Sequence, residues 1–147
     1  QVIWQTGKYY EREMDEFMRG RDARGIWRGA FIERMDLAYA AADVVVARSG
    51  AGTVSELCLV GKAVVFVPSP NVAEDHQTKN AMALADRGAA LVVPDREAVA
   101  RVFSEVGRLL ADDAVRSEME KNIRALAVAD SADRVADEIL KVVKRSE

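Results

Sequence analysis

The chain has 147 residues, half of them hydrophobic, 31% charged, with a formal net charge of -3, which is the composition of one ordinary globular domain with a substantial core. No basic excess points to nucleic acid, no apolar run nears the roughly 20 residues needed to span a bilayer, and no signal peptide is visible, so a cytoplasmic protein is expected. The single cysteine, Cys58, reads as a buried packing residue, and nothing suggests a disulfide framework or a zinc site.

Gln1 opens directly onto the apolar run Val2-Ile3-Trp4, a strand that looks like a cut through a larger protein, and Thr6-Gly7 stops it. Tyr10, Met14, Phe17 and Met18 recur at helical spacing and predict an amphipathic helix from Lys8 to Arg19. Ile26 to Ile32 reads as a second strand, Met35 to Ala41 as a short helix, and Val44 to Ala47 as a third strand. A glycine-bearing turn follows, then a helix from Val54 to Val60, apolar nearly all round and so expected to be deeply buried, with Gly61 as its C-terminal cap. Val64 to Val67 is wholly apolar, as a parallel strand covered on both faces would be. Pro68 and Pro70 end it and open a loop, Ser69 to Asp75. A helix begins near His76 and ends before Gly88, and Leu91 to Val93 forms the last strand. From Glu97 onward three apolar stripes predict helices to the end of the chain. Strands alternating with helices indicate an α/β fold, a doubly wound parallel sheet with extra C-terminal helices.

In such sheets ligands bind beyond the carboxyl ends of the strands, where the loops 47–53 and 68–76 both lie. The first carries Arg48-Ser-Gly-Ala-Gly-Thr-Val-Ser-Glu56. Gly50 and Gly52 lack Cβ atoms where a backbone turns tightly or approaches a ligand. The helix behind them aims unpaired N–H groups and a partial positive charge at the turn, an arrangement suited to phosphate. Glu56, one turn on, offers an acceptor for sugar hydroxyls, so a nucleotide-sugar site is one reading. The other is a capping box, with Thr53 as N-cap and Glu56 returning to its backbone N–H.

The segment Arg48 to Glu56, then Phe66-Val-Pro-Ser-Pro70, then Glu74-Asp-His-Gln-Thr-Lys-Asn80 resemble, in that order, the MurG family of bacterial glycosyltransferases. Trp4-Gln-Thr-Gly-Lys8, Phe31-Ile32 and Ala42-Asp-Val-Val-Val46 fall in the expected places between them, so the likeness runs essentially the whole chain. It implies a Rossmann-like domain, the C-terminal, donor-binding half of a two-domain GT-B enzyme. Residues 1–147 would then be a single domain. Its first strand with a glycine-rich loop, and the N-terminal acceptor domain, would lie upstream of Gln1. The activity implied is inverting transfer of N-acetylglucosamine from UDP-N-acetylglucosamine to the C4 hydroxyl of the lipid-linked muramyl pentapeptide of peptidoglycan synthesis. The acceptor and the membrane surface would be met by the upstream domain, at the cytoplasmic face of the inner membrane.

The resemblance carries roles onto single residues. Ala51, Gly52 and Thr53 match the diphosphate contacts, with Ser49 and Gly50 in the same turn. Glu56 matches the ribose acceptor. Ile32, with Phe31 beside it and Met35 near, matches the position where uracil meets backbone groups. His76, Gln77 and Asn80 match the polar residues facing the N-acetylglucosamine ring, although many relatives carry glutamine where His76 stands. Arg48 either neutralises phosphate or pairs with a local carboxylate such as Asp43. The catalytic base is expected in the upstream domain, so none of these residues is assigned as catalytic. No cofactor or metal is required, and magnesium stays open as an accessory. Two alternatives remain: another UDP-sugar GT-B protein, such as a UDP-N-acetylglucosamine 2-epimerase, and a non-catalytic nucleotide-sugar-binding module.

Overall fold

The computed structural model describes residues 1–70 and 75–144, so part of the predicted loop Ser69 to Asp75, residues 71–74, lies outside the described residues. Strands and helices alternate as β1 (Val2–Gln5), α1 (Glu11–Met18), β2 (Ile26–Gly29), α2 (Met35–Ala41), β3 (Val44–Ala47), α3 (Ala51–Val60), β4 (Ala63–Phe66), α4 (His76–Ala85) and β5 (Leu91–Val92). A 3-10 turn (Asp95–Glu97) then leads into α5 (Ala98–Ala111), α6 (Asp113–Arg124) and α7 (Ser131–Lys144). Every strand pairing is parallel. Among the described residues the strands pair as β1-β2 and as β3-β4-β5.

The chain divides into two compact units, Gln1–Ala42 and Asp43–Glu147. In the first, β1 and β2 pair with Val2 opposite Ile26 and Gln5 opposite Gly29. The strand predicted to Ile32 stops at Gly29, and α1 is shorter than its periodicity suggested. Met14 and Met18 are half-buried, whereas Tyr10 and Phe17 stay exposed.

In the second unit β4 is the central strand, in register with β3 (Val44 opposite Ala63, Ala47 opposite Phe66) and with β5 (Val65 opposite Leu91). Side chains alternate faces along a strand. Ala63, Val65 and Val67 share one core cluster with Val93, Leu109 and Met119, against which Val102 and Val106 of α5 pack. Val64 and Phe66, on the opposite face, are fully buried too. Coverage on both faces is what its unbroken apolar run predicted.

Two backbone bonds carry the ladder past the strand ends, Val67 N–H to Ala47 O at 2.9 Å and Val93 N–H to Phe66 O at 2.9 Å. They fix the carboxyl ends of all three strands, where the candidate site lies.

The helix after the turn differs from expectation in two ways. It begins at Ala51, three residues before the first large apolar side chain, Val54, because a first turn needs no buried face of its own. It is also buried along one side only: Leu57 and Cys58 are core residues, while Leu59 is half exposed. Gly61 caps it as predicted, with φ +68°, a left-handed conformation that costs glycine nothing. Arg124 of α6 lies over this cap and donates to Val60 O at 3.2 Å, so a Cβ at position 61 would strike its guanidinium.

Candidate functional site

The N-terminus of α3 is open. Gly50 is its N-cap, extended at φ −61°, ψ 150°, with no side-chain cap bond among the described residues. Thr53 is therefore not the N-cap that the alternative capping-box reading required: it sits at the third helical position, with Glu56 exposed in the second turn. The leading amides of a helix have no intrahelical acceptor and carry the positive end of its dipole. Ala51 and Gly52, which bear the first two, are exposed. Among the described residues a Cβ built at Gly50 or Gly52 would meet nothing within 4 Å, and neither residue has positive φ. The fold's own packing thus does not demand glycine here; the room lies outside the turn, where a ligand would approach.

Behind this turn lies a hydrogen-bonded lashing. Ser49 is fully buried, and its hydroxyl donates to Gln77 O at 2.8 Å. Asn80 Nδ2 donates back to Ser49 O at 3.0 Å, and Gln77 Oε1 accepts from Ser69 N–H at 2.9 Å. Residues at the start of α4 therefore hold both the glycine turn and the chain leaving β4. Each bond satisfies a buried or half-buried polar group that would be costly to strand. Gln77 keeps its Nε2 donors, and Asn80 its Oδ1, as the polar atoms outside these bonds. His76, the first residue of α4, is exposed, and its N-cap Asp75 sits at φ 54°, a left-handed conformation that aspartate tolerates.

Arg48 pairs with Asp95, not with Asp43. Its Nη1 also donates to Val67 O at 3.0 Å and to Pro68 O at 3.3 Å. Phe31, Ile32 and Met35 belong to the other compact unit. There Phe31 is exposed, Ile32 and Met35 are half-buried, and Ile32 N–H donates to Gln5 Oε1 at 2.9 Å. The backbone donor expected to read a nucleobase is thus engaged by a side chain from the end of β1.

Comparison with known proteins decides the family. Residues 1–135 match the glycosyltransferase family 28 C-terminal domain. The chain belongs to this family. Among curated family 28 relatives, a protein of Parabacteroides distasonis is 47% identical over 145 residues, covering 99% of this chain and 39% of its own length. One of Porphyromonas gingivalis is 48% identical over 143 residues, covering 97% of this chain and 38% of its own. Both are named UDP-N-acetylglucosamine–N-acetylmuramyl-(pentapeptide) pyrophosphoryl-undecaprenol N-acetylglucosamine transferase. The chain therefore spans about 39% of the length of the first of these relatives. Among solved structures, Acinetobacter baumannii MurG superposes with a TM-score of 0.80 at 34% identity, covering 95% of this chain and 41% of that one. The glycosyltransferase VinC superposes at 0.66 with 20% identity, over 98% of this chain and 41% of that one, a likeness of fold alone. The Rossmann-like α/β reading and the resemblance to MurG both hold.

Within this family 28 chain, three partners of predicted site residues escaped the sequence reading: Gln5, which bonds Ile32 in the first unit, and Ser69 and Asp95, which bond Gln77 and Arg48 in the second. Each acts on a partner 8 to 47 residues away, and no short-range pattern announces such a pairing. A separate cleft of about 290 Å³ lies between Val54, Cys58 and Leu59 of α3, Leu84 and Arg87 at the end of α4, and Leu126 and Val128 beyond α6. None of the predicted site residues lines it. Burial raises the Cys58 thiol above its ordinary range, in keeping with an inert packing role. Among the described residues no group of three His, Cys, Asp or Glu side chains is placed to hold a metal ion, and no helix is long and apolar enough to cross a membrane.

Proposed function

We propose that the chain is the donor-binding half of an inverting glycosyltransferase that passes N-acetylglucosamine from UDP-N-acetylglucosamine to the C4 hydroxyl of undecaprenyl-pyrophosphoryl-N-acetylmuramyl pentapeptide. The observation that carries the reading is the uncapped, exposed N-terminus of α3 at the carboxyl end of β3, on a chain of this family. As the glycosidic bond breaks, the leaving UDP gains negative charge. Amides of Ala51, Gly52 and Thr53, already oriented by the helix, stabilise that charge with no reorganisation at the moment of reaction. No cofactor is invoked for that task; magnesium would be an accessory to the diphosphate. Glu56 accepts from the ribose hydroxyls. Gln77 Nε2 and Asn80 Oδ1 face the sugar hydroxyls, with His76 beside them. Ile32 is the residue that the family resemblance assigns to uracil, through its backbone.

The acceptor hydroxyl attacks the anomeric carbon from the face opposite the leaving UDP and gives its proton to a base outside this chain. Inversion at that carbon yields the β1,4-linked lipid disaccharide. Acceptor binding, and docking at the cytoplasmic face of the inner membrane, belong to the part of the protein that the relatives' greater length represents.

Calorimetric titration of the chain with UDP, UDP-N-acetylglucosamine, ADP and GDP tests the donor assignment. Uridine nucleotides are expected to bind and purine nucleotides not. Equal binding of all four, or of none, would remove the uridine assignment.

A further inference from the structure

We infer that Arg48 and Asp95 form a positioning pair that holds the carboxyl ends of β3, β4 and β5 in the geometry a nucleoside diphosphate requires, without touching the ligand. The inference rests on the donor-site reading. Arg48 directly follows the last residue of β3, Val67 and Pro68 continue β4, and Asp95 opens the turn after β5. One guanidinium thus ties three neighbouring strands together at the edge where ligands of open α/β sheets bind, through bonds to Val67 O and Pro68 O and the ion pair with Asp95.

The residues that follow Arg48 and Pro68 belong to the site. After Arg48 comes the buried Ser49, bonded to Gln77 and Asn80; after Pro68 comes Ser69, whose N–H is held by Gln77 Oε1. The contacts to the two carbonyls and the carboxylate are all made by one nitrogen, Nη1, which stands one bond farther from the backbone than a lysine Nζ would.

The competing role, a cation that contacts phosphate, makes the opposite demand on Asp95. A carboxylate on that cation would offset its charge and repel a diphosphate. Removing the acid would then tighten binding. If Asp95 instead holds Arg48 in place, removing it loosens the turn and weakens binding. The sign of one substitution separates the two roles.

UDP affinity of the 147-residue chain is to be measured for the wild type and for Asp95→Asn, Arg48→Lys and Arg48→Gln, at low and high salt. Each variant is expected to lose roughly three- to ten-fold, as coupled neighbours in one hydrogen-bonded network do. Lysine should do no better than glutamine, the double variant Arg48→Gln/Asp95→Asn should be no worse than the weaker single, and the salt dependence should match the wild type. Tighter binding by Asp95→Asn, wild-type affinity in Arg48→Lys, or a shallower salt dependence in Arg48→Gln would overturn the positioning role. A wild type that binds no UDP would sink the donor reading itself. Amide exchange then judges the tie alone: Asp95→Asn should speed exchange at Ser69, and unchanged exchange there would show that the pair holds nothing.

Discussion

Glu56 shows what one residue's surroundings decide. It stands in the second turn of α3, exposed, on a helix whose N-cap is Gly50. Glu56→Gln keeps the shape and replaces a charged acceptor by a neutral one. Charge-assisted hydrogen bonds exceed neutral ones by about 1 kcal/mol or more, so UDP affinity should fall roughly five- to ten-fold. Thermal stability should stay within the scatter expected of a surface substitution. Unchanged affinity by calorimetry would remove Glu56 from the ribose. Arg48 makes a related point about legibility. A carboxylate partner was foreseeable from its charge, but choosing Asp95 over the nearer Asp43 requires the register of three strands, which no local pattern encodes.

At the scale of elements, the parallel strands, Gly61 as a cap and the helical character of the C-terminal third were all legible, because apolar periodicity and cap residues report directly on burial. Boundaries were less so. The first three residues of α3, Ala51 to Thr53, carry no large apolar side chain, so its start at Ala51 left little hydrophobic trace. That start offers a direct test. Proline is well tolerated at the first helical position, and Gly50 already has the extended conformation that a following proline favours. Ala51→Pro should therefore keep α3 while deleting one amide from the proposed cradle. UDP affinity is expected to drop about ten-fold with the melting temperature held or slightly raised, and wild-type affinity would exclude that amide as a phosphate contact. α5 makes a pH prediction. Hydrogen bonding from Arg101 holds the Glu97 carboxyl below its ordinary range, and Arg101 and Arg108 do the same for Glu105. Their folded pKa values lie below the unfolded ones, so this support is present above the ordinary carboxylate range and is lost as pH falls through the lowered values. Both groups are near the surface, so the effect is small and salt-screened. Urea midpoints measured from about pH 6 down to about pH 3 should decline, and Glu105→Gln should flatten part of that decline.

Over the whole molecule, burial is concentrated on one side of the division between the compact units. Every buried hydrophobic residue, from Leu57 to Ile123, belongs to Asp43–Glu147, while residues 1–42 contain none. Composition could not reveal this, because Val2, Ile3 and Trp27 look like core residues and are each at least two-fifths exposed. About forty residues without a buried centre seldom hold a fold unaided. Opening free energies within one chain then range from near zero to the global value. Amide hydrogen exchange is the measurement that resolves them. In the isolated chain the amides of β4 should exchange at the slow rate set by global unfolding, because Ala63 to Phe66 are fully buried between paired strands. Those of β1 and β2 should exchange much faster, through opening of their own unit, and should lose protection at lower urea. The two units would then unfold in separate steps, and one stability value would not describe the chain. Protection of Ile3 and Trp27 amides equal to that of Val64 and Val65, lost at the same urea concentration, would show the opposite: a single cooperative fold in which exposure of the first strands carries no cost.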